Sequence, residues 1–358
     1  MEAILLVGGQ GTRLRPLTIS TPKPMLPVAG FPCTSHQIAL AASAGIDRIV
    51  LGTSYRAEVF EEYFSGQDLG VEIRYAVESE PLGTGGAIRN AAEQLTCGPD
   101  DPVVIFNGDV LTGLDISDLV SKWREARADV ALYLTRVEDP RAYGLVPTDA
   151  AGRVLEFKEK PTTPEEIVTD QINAGCYVFK RSVIDRIPAG QVVSVERETF
   201  PELLSTGATV IGVVDDGYWL DLGTPLAFAQ GSADLVRGIA PSPLLAGRTG
   251  DAVIHDSAVV HDTAIVSGGT YIGAHVVIGE NAIVDASVIY DGVTIGSGAR
   301  VVRSIVSTNA SIGSQSSITD TVIAENASLG AHNELNFGAR VFPGAEISDS
   351  AIRFSSDR

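Results

Sequence analysis

The chain has 358 residues, with 45 acidic and 26 basic side chains, a formal net charge of −19 and a pI near 4.6. Its length predicts two domains, each large enough to bury a core of its own. The negative charge argues against a broad basic face for nucleic-acid phosphates, and an aromatic content of 6% offers no platform for base stacking.

The cysteines and the first residues indicate a cellular compartment. Cys33, Cys97 and Cys176 form no C-x-x-C pair, so neither a disulfide framework nor a zinc site is expected. The opening apolar run, residues 3–7, lacks a preceding basic segment and is too short for a signal peptide or a membrane span. We therefore expect a cytoplasmic protein with no membrane partner.

Residues 1–237 alternate short apolar runs with helical patterns, which is typical of an α/β domain. The runs at 3–7, 47–53, 71–77 and 102–107 predict strands, and residues 36–44 and 85–95 predict helices. The pattern predicts a doubly wound, mostly parallel sheet. Ligands of such sheets bind outside the carboxyl ends of the strands, so the loops that follow strands are the first candidates for a site.

Residues 238–250 are rich in Pro, Ser and Gly and predict a linker, and residues 251–358 have a different period. An apolar residue recurs every six positions in triplets, namely Val253, Val259 and Ile265; Ile272, Ile278 and Val284; Ile289, Ile295 and Val301; Val306, Ile312 and Ile318; and Ile323, Leu329 and Leu335. This period predicts a left-handed hexapeptide-repeat β-helix. A β-sandwich would instead show period two, with turns every eight to twelve residues.

The first strand runs into a glycine-rich loop, Gly8-Gly9-Gln10-Gly11-Thr12-Arg13-Leu14. Successive backbone N–H groups of such a loop can approach a polyphosphate, and Arg13 adds guanidinium donors. The loop is neither a dinucleotide fingerprint, because Leu14 stands at the third glycine, nor a Walker A loop, because no Lys-Ser/Thr follows. Alone, it is as compatible with a structural turn as with a ligand site.

The continuation makes the pattern specific. Arg15-Pro16-Leu17-Thr18 and Thr21-Pro22-Lys23-Pro24-Met25-Leu26-Pro27 complete a stretch that resembles the signature of the sugar nucleotidylyltransferase family. The resemblance implies a Rossmann-like nucleotidyltransferase domain in which Arg13 and Lys23 act on phosphate. Two prolines flank Lys23 and stiffen the backbone that aims its charge. The resemblance also implies that the nucleotide is bound by Leu6, Gly8, Gly9, Gly11, Thr12 and Arg13.

Two aspartates match the family's metal ligands. Asp109 follows a strand in Phe106-Asn107-Gly108-Asp109, and Asp221 lies in Trp219-Leu220-Asp221-Leu222-Gly223. The resemblance implies that they bind the catalytic Mg²⁺, which takes few protein ligands and completes its shell with water and substrate phosphates. Taken singly, each would be read as a turn residue beside glycine.

The same resemblance implies a sugar-phosphate pocket. Glu159 would accept hydrogen bonds from sugar hydroxyls and Lys160 would hold the 1-phosphate, while Asn173 and the Gly175 backbone would contact the sugar. The expected sugar-phosphate residues are Gly144, Glu159, Lys160, Asn173 and Gly175.

Glu78, Gly83 and Thr84 are the expected base-binding residues. Family members that use UTP or dTTP carry Gln at the position that matches Glu78, whereas a carboxylate can accept both guanine donors, N1–H and N2–H. At about 1.5–3 kcal/mol per hydrogen bond to a charged group, this choice is worth an order of magnitude or more. The segments 170–175 and 194–201 also resemble GDP-mannose pyrophosphorylases. The implied substrates are therefore GTP and mannose 1-phosphate.

The sequence leaves three other functions open. The first is a glucose-1-phosphate thymidylyl- or uridylyltransferase, against which Glu78 is the main evidence. Acyl transfer would use a histidine of the β-helix, where His255, His261, His275 and His332 lie. A regulatory paralogue would sense a sugar nucleotide without catalysis, which the intact charged residues disfavour. We also expect a homo-oligomer with contacts through the β-helix.

Overall fold

The computed structural model describes residues 1–9, 11–53 and 56–353, so Gln10 of the predicted loop lies outside the described residues. Contacts divide the chain into two compact units, Met1–Gly9 with Gln37–Trp219 and Gln10–His36 with Leu220–Arg358. The second unit thus joins residues 11–36, here called the signature segment, to the C-terminal repeat. No helix in the described ranges is long and apolar enough to cross a membrane.

The elements before the repeat are short and closely spaced. The strands are β1 Glu2–Leu6, β2 Pro27–Val28, β3 Phe31–Pro32, β4 Arg48–Thr53, β5 Glu72–Val77, β6 Pro102–Asn107, β7 Val110–Thr112, β8 Val130–Arg136, β9 Gly144–Leu145, β10 Lys158–Glu159, β11 Gln171–Lys180, β12 Val210–Val214 and β13 Trp219–Asp221. The α-helices are α1 Cys33–Ser43, α2 Ala57–Phe64, α3 Gly83–Ala91, α4 Ile116–Glu125, α5 Arg181–Ile184, α6 Phe200–Ser205 and α7 Pro225–Arg237. A π-helix covers Val195–Thr199, and 3-10 turns cover Thr12–Leu14, Leu17–Ile19 and Lys23–Met25, among others.

The first unit is built on a parallel-rich sheet. Strands β5, β4, β1 and β6 lie side by side in that order and pair in parallel, as the predicted α/β pattern requires. Strand β11 then pairs antiparallel with both β6 and β8, and β12 pairs parallel with β8. The predicted α/β fold is confirmed. The antiparallel strand was not predicted, because an apolar run does not reveal the direction of its neighbours.

The C-terminal repeat forms three parallel sheets, consistent with the predicted left-handed β-helix. The first contains β14 Ala252–Ile254, β17 Thr270–Ile272, β20 Val288–Ile289, β23 Ile305–Val306, β26 Val322–Ile323 and β29 Arg340–Val341; the second β15 Val259–Val260, β18 Val277–Ile278, β21 Thr294–Ile295, β24 Ser311–Ile312, β27 Ser328–Leu329 and β30 Glu346–Ile347; the third β16 Ile265–Ser267, β19 Ile283–Asp285, β22 Arg300–Val302, β25 Ser317–Thr319 and β28 Glu334–Leu335. Apolar side chains of successive coils stack in the interior, and four of the five predicted triplets belong to this core.

The first predicted triplet is out of register by one residue. Ile278 pairs with Val260, and Val284 pairs with Val266. The interior side chains of the first coil are therefore Val260 and Val266, each one residue after the predicted Val259 and Ile265. Val259 and Ile265 are 62% and 56% exposed. Two adjacent apolar residues occur at each of these places, and a six-residue period alone cannot choose between them.

The histidines of the β-helix have local structural roles. His275 and His332 occupy corners with φ of 56° and 57°, the left-handed conformation that tight corners demand. Nδ1 of His255 lies 2.9 Å from the Ser257 hydroxyl, and Nδ1 of His261 lies 2.9 Å from the Thr263 hydroxyl. These contacts are those of repeat residues and give no support to acyl transfer.

Candidate active site

The signature segment folds back on itself around Gly11. Its φ is +59°, and a Cβ there would lie 2.7 Å from Cβ of Lys23 and 3.0 Å from Thr18. The Thr18 hydroxyl donates to the Gly11 carbonyl at 2.9 Å and closes the fold. Only glycine combines this backbone conformation with this close approach. The two halves of the motif are therefore adjacent because of Gly11.

Arg13, Lys23 and Asp221 come together within the second unit. Nη2 of Arg13 lies 3.7 Å from Oδ2 of Asp221, and Nζ of Lys23 lies 3.6 Å from Oδ1. A Cβ on Gly223 would lie 2.5 Å from Nη2 of Arg13, so glycine leaves room for the guanidinium. One carboxylate thus sits between two cations, and three of the predicted charged residues form one cluster.

The lysine of this cluster is nearly buried. Its side chain is 8% exposed, whereas that of Arg13 is 65% exposed. A charge removed from water needs a charged partner, since an unpaired one would cost several kcal/mol, and Asp221 supplies it. Burial also strengthens the field of the ammonium group at its surface, because less water screens it. Lys23 is therefore held as a fixed positive charge.

Asp109 lies in the turn at the carboxyl end of β6, in the first unit. The Gly108 N–H donates to the Leu6 carbonyl at 2.8 Å, and a Cβ on Gly108 would lie 2.5 Å from that oxygen. Buried Gln37 donates to the carbonyls of Asn107 and Val110, at 2.8 and 2.9 Å. The turn is thus fixed on both sides. The two predicted metal ligands fall in different units.

The remaining residues of the predicted phosphate loop lie between β1 and the first 3-10 turn. Leu6 ends β1, Gly8 and Gly9 follow it, and Thr12 opens a 3-10 turn. No described atom lies within 4 Å of a Cβ built on Gly9. Packing therefore does not require glycine there, and the open space is what close approach of a ligand would need.

Glu78 directly follows β5 and is 8% exposed. Its Oε2 accepts a hydrogen bond from the Leu82 N–H at 3.3 Å, while Oε1 is buried and has no hydrogen-bond partner among the described residues. Burial raises the pKa of this carboxyl, and the Leu82 N–H opposes the shift. A buried acceptor without a partner is costly, which makes Glu78 a candidate for ligand recognition.

The turn after Glu78 packs against the backbone of residues 191–193. Gly83 has φ +70°, and a Cβ on it would lie 2.6 Å from the Val193 carbonyl; on Gly86 a Cβ would lie 2.5 Å from the Gln191 carbonyl. Close packing and a positive φ therefore account for Gly83, whereas the sequence suggested approach to a nucleobase. Its expected contact with the base stays a prediction.

Thr84 connects this turn to the π-helix. Its hydroxyl donates to Oε2 of Glu196 at 2.7 Å and accepts from the Val195 N–H at 2.9 Å. The same Glu196 oxygen accepts from the Ser194 hydroxyl at 2.9 Å. The Thr84 side chain is therefore occupied by the protein, and its expected contact with the nucleotide stays a prediction.

Glu159 faces Gly144 across the antiparallel pair of β10 and β9. Burial raises the pKa of the Glu159 carboxyl, the nearby negative charge of Glu196 raises it further, and Lys160 and Arg197 lower it. Nζ of Lys160 lies 3.5 Å from Oε1 of Glu159. Two carboxylates and two cations therefore lie close together around Glu159.

Lys160 and Asn173 differ in how firmly they are held. Lys160 has φ +50°, a strained backbone conformation for a residue with a Cβ. Its side chain is 61% exposed. Nδ2 of Asn173 donates to the Tyr177 hydroxyl at 2.8 Å, and its Oδ1 accepts from the Gly175 N–H at 3.1 Å. A Cβ on Gly175 would lie 3.0 Å from Asn107, beside the Asp109 turn.

Residues 2–238 match the nucleotidyl transferase family, and residues 248–355 match the GMPPB C-terminal domain family. The chain belongs to the nucleotidyl transferase family. It is 54% identical, over 100% of its length and 98% of the relative's, to a mannose-1-phosphate guanylyltransferase of Mycobacterium tuberculosis. It is 35% identical to a probable mannose-1-phosphate guanylyltransferase 3 of Oryza sativa, over 72% of each chain.

Among solved structures, HddC from Yersinia pseudotuberculosis in complex with GMP-PN is 26% identical with a TM-score of 0.56, and the match covers 65% of this chain and 99% of that one.

Sequence reasoning missed three residues of this nucleotidyl transferase site. Gln37 fixes the Asp109 turn, Glu196 links Thr84 to the surroundings of Glu159, and Trp219 donates through Nε1 to the Ala174 carbonyl at 2.9 Å. Glu196 lies in a segment whose family resemblance was noted without a role for its carboxylate. Trp219 stands in the segment quoted for Asp221, yet nothing local reveals its role or that of Gln37, because each donates to a backbone carbonyl far away in sequence.

Proposed function

We propose that this protein transfers the guanylyl group of GTP to mannose 1-phosphate, giving GDP-mannose and pyrophosphate. The full-length relative at 54% identity is a mannose-1-phosphate guanylyltransferase, and both parts of the chain match families of that kind. The clustering of Arg13 and Lys23 around Asp221 carries the catalytic side of the proposal. A sensor of sugar nucleotides would have no need of that cluster.

The buried Glu78 carboxylate supports GTP as the nucleotide. Oε1 lacks a hydrogen-bond partner in the described protein, and guanine presents two neighbouring donors that a carboxylate can accept. Uracil and thymine present one donor flanked by acceptors, so an acceptor of the base would face an oxygen of the carboxylate. A thymidylyl- or uridylyltransferase is therefore the less favoured alternative.

In the reaction, an oxygen of mannose 1-phosphate attacks the α-phosphorus of GTP in line. The new P–O bond forms as the bond between the α-phosphorus and the bridging oxygen to the β-phosphate breaks, and pyrophosphate leaves with that electron pair. The attacking oxygen is already anionic, so no general base is required. Arg13 and Lys23 neutralise the charge that builds up on the phosphates. Catalysis thus consists of positioning and charge neutralisation.

Mg²⁺ is the cofactor that these residues fit. Carboxylate oxygens are the donors that Mg²⁺ prefers, and Asp109 and Asp221 would be its protein ligands. Among the described residues no group of three or more His, Cys, Asp or Glu side chains could hold a metal. When bound, Mg²⁺ would supply positive charge to the phosphate oxygens.

The sugar phosphate would bind in the pocket of Glu159 and Lys160. Glu159 would accept hydrogen bonds from sugar hydroxyls, and the exposed ammonium of Lys160 would meet the 1-phosphate. Asn173 is held by Tyr177 and Gly175, so its side chain would shape the pocket more than it would adapt to the sugar.

The organisation of the chain follows as part of this proposal. A catalytic domain would cover 1–237, a linker 238–250 and a β-helix domain 251–358. Assembly into a homo-oligomer through the β-helix and a cytoplasmic location also stay predictions of the sequence.

The test is pyrophosphate release with Mg²⁺ from GTP, dTTP, UTP and ATP, each with mannose 1-phosphate or glucose 1-phosphate. We expect GTP with mannose 1-phosphate to dominate. Activity mainly with dTTP or UTP and glucose 1-phosphate would overturn the role of Glu78, and no release from any pair would favour the regulatory paralogue.

A further inference from the structure

A hairpin follows Lys23 and lies against the β-helix. Strands β2 and β3 pair through a two-residue turn, Ala29-Gly30, with φ of 47° and 90°. Such turns need positive φ at both positions, which matches the right-handed twist of the strands. The hairpin begins four residues after Lys23, so its position sets that of the lysine backbone.

Two tyrosines of the β-helix support this hairpin. The Tyr290 hydroxyl donates to the Pro27 carbonyl at 2.9 Å, and the side chain is buried, which raises its pKa well above the ordinary range. The Tyr271 ring fills the space beside Gly30, where a Cβ would lie 2.7 Å from ring atoms. The hairpin therefore packs on the β-helix as closely as elements within one core do.

Helix α7 supports the hairpin from a second side. The fully buried hydroxyl of Ser232 accepts from the Ala29 N–H at 3.1 Å. The helix begins four residues after Asp221 and packs against β17, where a Cβ on Gly269 would lie 2.5 Å from the Ala233 carbonyl. The β-helix thus supports the backbone near Lys23 and also the helix that follows Asp221.

The other end of the signature segment is also tied to the β-helix. The Ser20 hydroxyl donates to Oε2 of Glu325 at 3.2 Å, and the Arg340 guanidinium donates to the Arg15 carbonyl. The first contact is partly buried and the second is exposed, and each is weak by itself. They show that the coils lie along the segment on both sides of Lys23.

We propose that the β-helix is a working part of the active site, in which Tyr290 is a positioning residue that holds the Lys23 segment in its catalytic geometry through the Pro27 carbonyl. The inference rests on the proposed function. Charge neutralisation depends on where the ammonium lies in the transition state, and a small displacement lowers turnover without removing substrate contacts. A β-helix that served only for self-association would have no such effect.

The test is Tyr290→Phe in the full-length protein, which keeps the ring and removes one hydroxyl. We expect kcat to fall about 5-fold, the loss that corresponds to one buried hydrogen bond, with KM for GTP little changed. Hydrogen–deuterium exchange of residues 23–32 should rise in the same variant. Tyr133→Phe is the matched control, because that buried tyrosine donates to Asp215 and both residues belong to the first unit.

The two measurements separate this proposal from the proposed function. A fall in kcat together with faster exchange, absent in Tyr133→Phe, would support the positioning role. Unchanged turnover, or a fall without faster exchange at 23–32, would overturn it. A wild-type protein inactive on every substrate pair would refute the proposed function instead, and the exchange measurement would still report whether Tyr290 anchors the hairpin.

Discussion

A Cβ on Gly144 would lie 2.7 Å from Oε2 of Glu159, across the antiparallel pair of β9 and β10. The same Cβ would lie 3.0 Å from the Phe157 ring, so the glycine leaves room for both side chains. We predict that Gly144→Ala pushes the Glu159 side chain aside and raises KM for mannose 1-phosphate about 10-fold or more, the value of one charged hydrogen bond. KM for GTP should change much less, and initial-rate kinetics with each substrate varied in turn measure both.

The matched control for this glycine is Gly250→Ala. A Cβ on Gly250 would lie an ordinary 3.7 Å from the Ala252 carbonyl, so the substitution should leave both constants unchanged. Equal effects of the two substitutions would mean that Gly144 has no special relation to Glu159.

Local sequence patterns predicted the secondary structure and the fold of both parts of the chain, but they did not predict contacts between residues far apart in sequence. The six-residue period predicted the β-helix, yet it misplaced the first coil because Val259-Val260 and Ile265-Val266 offer two equivalent registers. The family resemblance brought Arg13 and Lys23 to one site, and the structure adds Asp221 between them. No local pattern places Tyr290 at the Pro27 carbonyl, because that contact depends on how the coils stack.

Glu78→Gln tests nucleotide choice. The amide offers one acceptor where the carboxylate offers two, so one guanine N–H would face a donor. We predict that kcat/KM for GTP falls about 10- to 100-fold, from about 1.5–3 kcal/mol per hydrogen bond to a charged group. The ratio of GTP to dTTP activity should fall as well.

Glu80→Gln serves as its control, since Glu80 is exposed two residues further along. An unchanged preference for GTP in Glu78→Gln would remove this residue from base recognition.

Glu196→Gln tests the electrostatics of the sugar pocket. Glu159 must be ionised to accept hydrogen bonds from hydroxyls with both oxygens, so kcat/KM for mannose 1-phosphate should fall as the pH drops through its raised pKa. Because the charge of Glu196 contributes to that rise, its removal lowers the pKa of Glu159. The acidic limb of the pH profile should therefore move to lower pH in the variant.

Glu198→Gln removes the same charge from an exposed position on the same π-helix and should leave the acidic limb in place. The titration of the substrate phosphate is common to all three proteins and cancels in the comparison. An acidic limb that does not move in Glu196→Gln would contradict the coupling of the two carboxylates.

Lys23→Ala removes the buried charge beside Asp221. If that charge acts mainly on the transition state, kcat should fall about 10²- to 10³-fold while KM for GTP changes far less. Lys122→Ala is the control, because Lys122 is exposed and pairs with Asp118 on the surface of α4. Lys23→Arg should restore little activity, since a planar guanidinium cannot replace a compact ammonium on a side chain that is only 8% exposed. Normal turnover in Lys23→Ala would exclude the lysine from catalysis, and its burial would then have no catalytic explanation.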